Sequence, residues 1–183
     1  MSQPEPAQPQ HRYVFADGPT TEVDVLVAAP PAAVWALVID IGLAARFSRE
    51  FLGAEWLDGA TGPALGARFA GSNTREGRHW TVPSTIVECE NGANGGDGAR
   101  FGWDVGDPAD PTASWRYSLT PEGGGTRLRY RATLGPGPSP TRQRCLDDPA
   151  REHELIVERL EIHRRNMQAV VDGIAELAEK KAP

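Results

Sequence analysis

The sequence predicts an α+β domain in which a curved, seven-stranded antiparallel sheet wraps around a long C-terminal helix, with two short helices after the first strand. Three observations carry this. The centre of the chain is a series of period-two runs separated by tight-turn residues. A proline-initiated apolar segment follows the first such run. The chain ends in an amphipathic stretch of about thirty residues at helical spacing.

From Thr21 to Ala28 the residues alternate, with Val23, Val25 and Val27 on one face, as in a half-buried strand. Pro30 and Pro31 then open a short helix through Val34, Trp35 and Leu37 that ends near Asp40. Gly42 is expected to close it in a left-handed conformation, and Leu43 to Ser48 to form a second helical turn. Six further strands are expected at Phe51 to Leu57, Ala67 to Asn73, Arg78 to Cys89, Arg100 to Val105, Ala113 to Thr120 and Thr126 to Leu134. Asp58-Gly59, Glu76-Gly77, the Gly- and Asn-rich stretch Asn91 to Gly98, Asp107-Pro108 and Pro121 to Gly125 favour reversals, so neighbours should be antiparallel. The first strand joins this meander at one end. Gly135 to Pro140 is expected to be a loop, since proline removes ladder donors. Asp148 as N-cap and Pro149 at the first helical position start a helix running to about Lys180. Its buried stripe is Ile156, Leu160, His163, Met167, Val170, Val171, Ile174 and Leu177, with Glu161–Arg165 and Glu176–Lys180 as exposed pairs.

Composition bounds the function. With 183 residues, 39% hydrophobic and 24% charged, the chain suits one globular domain over 14–183, preceded by a disordered, Pro- and Gln-rich tail over 1–13. The tail lacks the apolar region of a secretory signal, which points to a cytoplasmic protein. No apolar run is long enough for a membrane span. A net charge of −6 argues against a nucleic-acid partner. Cys89 and Cys145 stand far apart and fit neither a disulfide framework nor a zinc knuckle. Nothing in the sequence sets the oligomeric state.

The inward faces of the central strands are unusually aromatic. Alternation groups Phe69, Gly71 and Asn73, then Trp80, Val82, Ser84 and Ile86, then Phe101, Trp103 and Val105. The last two strands add Trp115, Tyr117 and Leu119, then Leu128, Tyr130, Ala132 and Leu134. A plain core favours close-packed aliphatics, whereas aromatics with a polar tip suit a cavity. Arg127, Arg129 and Arg131 alternate on the opposite face, as a solvated outer stripe.

The segments Val27-Ala28-Ala29-Pro30-Pro31-Ala32-Ala33-Val34-Trp35 and Gly66-Ala67-Arg68-Phe69-Ala70-Gly71-Ser72-Asn73 resemble those of the SRPBCC or START-like superfamily. Within it the resemblance is to the bacterial polyketide cyclase/dehydrase and lipid-transport group. Trp80 leading to Ser84-Thr85-Ile86-Val87, and Ser114-Trp115-Arg116-Tyr117 before Gly124-Gly125-Thr126-Arg127, add to it. The resemblance spans about Thr21 to Ala178 and implies a helix-grip fold with a deep apolar cavity that relatives use for lipids, polyketides or hormones. Aromatase/cyclase relatives place arginine inside that pocket. Here Arg68 and Arg116 fall out of phase with the inward residues, and Arg78 shares the phase only at its strand's first residue.

Candidate catalytic residues follow from phase. His163 lies in the buried stripe, where burial can tune its proton affinity, and Tyr117 and Tyr130 can donate to a ligand carbonyl. The candidate ligand-binding set is Phe69, Asn73, Trp80, Ser84, Trp103, Trp115, Leu160 and Met167. His153 is placed near the helix start, toward solvent or the cavity mouth. The two helical histidines are too far apart to share a metal, and neither a phosphate-cradling glycine loop nor a nucleophile elbow is present, so no metal and no cofactor is expected. Three classes remain open: a cyclase or dehydratase acting on a polyketide-like or lipid-like molecule, a non-catalytic carrier or sensor of an apolar ligand, and a protein-interaction module like the chaperone-activating relatives.

Overall fold

The computed structural model describes residues 12–92 and 98–180. Of the tail expected over 1–13, residues 1–11 lie outside the described residues, as do residues 93–97 of the turn expected at Asn91 to Gly98, while Tyr13 is docked on His153. Seven strands are present: β1 (Thr20–Val27), β2 (Phe51–Trp56), β3 (Arg68–Arg75), β4 (Arg78–Glu90), β5 (Ala99–Asp107), β6 (Asp110–Glu122) and β7 (Gly125–Leu134). They form one antiparallel sheet in the order β1-β7-β6-β5-β4-β3-β2. This is the expected meander with the first strand added beside the last.

The sheet curls because its ladder is interrupted. Register shifts occur at Phe51/Gly53, Ile86/Glu88 and Val105/Gly106, and an extra residue in one strand bends it and increases its twist. Helix α1 (Pro31–Val38) follows β1 as expected, and a 3₁₀ turn at Leu43–Arg46 comes next. Gly42 does not take the left-handed conformation expected of it, having φ −91°; its N–H donates to Asp40 Oδ1, so the side chain rather than a glycine turn redirects the chain.

Two further helices complete the chain, α2 (Pro140–Asp147) and the long α3 (Glu152–Glu179). The long helix begins later than its sequence signal. Asp148 makes no side-chain cap, and Pro149–Arg151 is a separate 3₁₀ turn. The short α2 was not expected; its N-cap Ser139 accepts a hydrogen bond from the Arg142 N–H. The same cap-plus-proline logic applied to Asp148-Pro149 operates one step earlier, at Ser139-Pro140. The loop expected over Gly135 to Pro140 ends at Ser139, since Pro140 opens α2, and it is pinned by Gly135 N–H to Thr112 O and Gly137 N–H to Pro111 O. A side chain at Gly137 would lie 2.2 Å from the Asp110 carbonyl, so glycine is required for this approach. On the helix surface Glu161 pairs with Arg164 rather than Arg165, while Glu176 pairs with Lys180.

Two apolar clusters lie along α3. The main core joins Val27, Val34, Phe101, Leu119 and Leu128 to Met167, Val170, Val171 and Ile174. A smaller one joins Phe15, Leu134, Cys145, Leu155, Ile156 and Leu160. The start of the described chain closes the second cluster: Tyr13 N–H donates to His153 Nδ1 at 3.0 Å and Phe15 N–H to Glu152 Oε1 at 2.8 Å. His153 is therefore half-buried and stacked on Tyr13, rather than facing solvent or the mouth. Among the described residues no helix is long and apolar enough to cross a membrane.

Candidate functional site

Between the concave face of the sheet and α3 lies a cavity of about 450 Å³. Its wall is built from cross-strand pairs, because residues opposite each other on one face of an antiparallel sheet bring their side chains together. Trp103 of β5 faces Trp115 of β6, and Tyr117 of β6 faces Tyr130 of β7. The Tyr117 and Tyr130 rings stack with centroids 3.9 Å apart and planes 13° apart. Trp103 touches Phe69, Trp115, Tyr117 and Tyr130 at centroid distances of 5.9, 6.4, 6.1 and 6.4 Å.

Ten of the sequence-predicted residues meet on this cavity: Phe69, Asn73, Trp80, Ser84, Trp103, Trp115, Tyr117, Tyr130, His163 and Met167. Leu160 does not. It is buried, but α3 turns it into the smaller cluster with Phe15 and Leu134. A stripe at three-four spacing is wider than one contact surface, so adjacent members of it serve different cores. Asn73 is held locally, its Nδ2 donating to Gly71 O at 3.1 Å.

His163 stands edge-on to Trp115, with ring centroids 4.8 Å apart and planes at 86°. It is buried, and among the described residues no protein group hydrogen-bonds its imidazole. Burial holds its pKa well below the usual histidine value, and the Arg159 and Arg75 charges push it in the same direction. At neutral pH the ring is an uncharged imidazole against the cavity. Burial raises both tyrosines, and the interaction between their hydroxyls lowers Tyr117 while raising Tyr130 further, so both remain protonated donors.

The sequence reading missed the charged part of the wall. Arg159 binds both carboxylate oxygens of Glu50, at 2.9 and 2.7 Å, and both residues line the cavity. Arg75 and Arg78 line it too. Strand phase puts no arginine mid-pocket and only Arg78 in phase at its strand's first residue; Arg75 and Arg159 are additions to that reading. β3 runs two residues past Asn73 and carries Arg75 in phase with Phe69, Gly71 and Asn73. Arg159 precedes His163 by one helical turn, a spacing that places both on one side of α3 and was readable in the sequence. Arg68 and Arg116 are on the outer face, as expected, paired with Asp58 and with Glu88 and Asp104. Arg127 and Arg131 of the outer stripe pair with Asp24, Glu122 and Glu22.

Known proteins share this architecture. A polyketide-cyclase-like protein of Corynebacterium glutamicum superposes with a TM-score of 0.60 at 28% identity, covering 87% of this chain and 91% of its own. The Zhui aromatase/cyclase of a Streptomyces species gives 0.61 at 18% identity, covering 89% and 94%. A Thermus thermophilus protein gives 0.62 at 14% identity, covering 90% and 100%. These likenesses establish the helix-grip fold. Among curated proteins none matches the chain. The family model described as polyketide cyclase / dehydrase and lipid transport matches residues 19–179, nearly the whole described domain, and the chain belongs to that family.

Proposed function

We propose that this chain binds a small, mostly apolar organic molecule, polyketide-like or lipid-like, in the cavity between its sheet and α3. The observation that supports this is an unfilled cavity of about 450 Å³, within the size range of small-molecule sites, with an aromatic wall and few polar groups. An interaction module would instead fill that space with its own side chains. Native mass spectrometry of the purified protein tests the reading. A co-purifying organic molecule displaced by Trp115→Ala supports it, and an empty protein that also takes up no apolar probe overturns it.

A catalytic reading is favoured by one feature, the neutral imidazole of His163, edge-on to Trp115 in a cavity that two protonated tyrosines also line. In it the imidazole removes the α-proton of a β-dicarbonyl, a tyrosine hydroxyl donates to the receiving carbonyl, and the cavity folds the chain so that the new carbon–carbon bond closes a ring. Loss of the resulting hydroxyl as water completes a cyclisation and dehydration. The carrier reading draws on the stacking of the two tyrosine rings on each other, which holds them in place without a ligand. Turnover of a poly-β-ketone substrate that disappears in His163→Ala supports catalysis, and turnover unchanged in that variant removes it.

A further inference from the structure

Two arginines without an ion-pair partner among the described residues line the cavity. Arg75 and Arg78 face each other as the closing pair of the β3–β4 hairpin, across a tight turn in which Glu76 and Gly77 both have positive φ. Both line the cavity. Like charges directly opposite on two strands repel, and among the described residues neither guanidinium has an ion-pair partner. The contrast with Arg159 is direct, since Glu50 neutralises it through two hydrogen bonds. From α3 the lining includes His163, whose imidazole has no hydrogen-bond partner among the described residues, and Asn166, whose Oδ1 accepts the Arg49 N–H at 3.2 Å.

From this arrangement we infer that the ligand is a carboxylate-terminated apolar molecule, its body against Trp103, Trp115 and Met167 and its head at Arg75 and Arg78. The inference rests on the ligand-binding reading above and adds the class of ligand. A guanidinium presents parallel N–H groups that match the two oxygens of a carboxylate. An anion between the two arginines also relieves their repulsion, a gain that a neutral ligand cannot supply. Asp40 and Glu76 also line the cavity, and each repels a doubly charged phosphate twice as strongly as a single carboxylate.

The test uses matched pairs of probes on the full chain at neutral pH: dodecanoate with dodecanol, and pyrenebutyrate with its primary amide. Binding is read by calorimetry or tryptophan fluorescence. Each carboxylate is expected to bind about tenfold tighter than its neutral partner, with the preference shrinking as salt rises. Arg75→Gln and Arg78→Gln should each reduce that preference several-fold without changing the neutral probes, while Arg129→Gln on the outer face changes neither. Equal affinity within both pairs overturns the carboxylate inference and leaves the cavity reading standing. Binding of no probe at all overturns both. The salt dependence needs no variant, so the inference stays testable if a substituted chain folds poorly.

Discussion

Arg159 grips both oxygens of Glu50 in the cavity wall, with side chains 16% and 11% exposed. Removing one partner of such a pair leaves the other charge desolvated. Arg159→Met is expected to cost about 3 kcal/mol in urea unfolding, while combining Arg159→Met with Glu50→Leu recovers most of the loss. A double variant no more stable than Arg159→Met would mean that the pair contributes through packing alone.

The same substitution reports on His163. Arg159 is one of the charges holding the imidazole down, so in Arg159→Met the His163 pKa should move toward the usual value while burial keeps it low. An imidazole titration by NMR checks the direction.

His163 also makes stability depend on pH. Its folded pKa is depressed below the ordinary 6.5, so between the two values the unfolded chain binds the extra proton. The contribution is fully present above about pH 6.5 and is lost as the pH falls toward the folded value, at up to about 1.4 kcal/mol per pH unit. Denaturant midpoints of the wild type should fall over this window, and those of His163→Phe should fall less.

Tyr117 and Tyr130 have the opposite sign. Their folded pKa values lie above the ordinary 10.0, so their contribution is intact below pH 10 and lost as the pH rises further. Two of the three tyrosines should stay protonated until the chain unfolds in alkali, a step visible in phenolate absorbance. Tyr130→Phe should leave Tyr117 as the buried phenol and reduce the delayed absorbance by about half.

Gly173 lies inside α3, where alanine is ordinarily worth ~1 kcal/mol. Here a Cβ would sit 2.4 Å from the Phe47 ring, within the main core. Gly173→Ala is expected to destabilise by about 1–3 kcal/mol instead, and Phe47→Leu in the same chain to restore part of it. A stabilising Gly173→Ala would show that Phe47 yields freely.

Most of the fold was legible because period-two alternation and turn chemistry are local signals. Val23, Val25 and Val27, the turn at Glu76-Gly77 and the stripe from His163 to Ile174 each declare their element without reference to anything distant. The aromatic wall followed too, since strand phase alone puts Trp103, Trp115, Tyr117 and Tyr130 on one face. α2 was missed although Ser139-Pro140 carries a cap signal, because the glycine and proline around it read as loop.

What the sequence determined by itself is therefore which residues share a face of each element, a matter of backbone geometry over a few residues. Tertiary structure alone decided which faces meet. Glu50 and Arg159 are 109 positions apart, and nothing local announces their pairing. Leu160 and Met167 belong to one helical stripe, yet only the path of α3 across a bent sheet sends the first to Phe15 and the second to the cavity. Those outcomes depend on the bulges that curl the sheet and on the segment that docks at Tyr13, long-range packing that no single stretch of sequence contains.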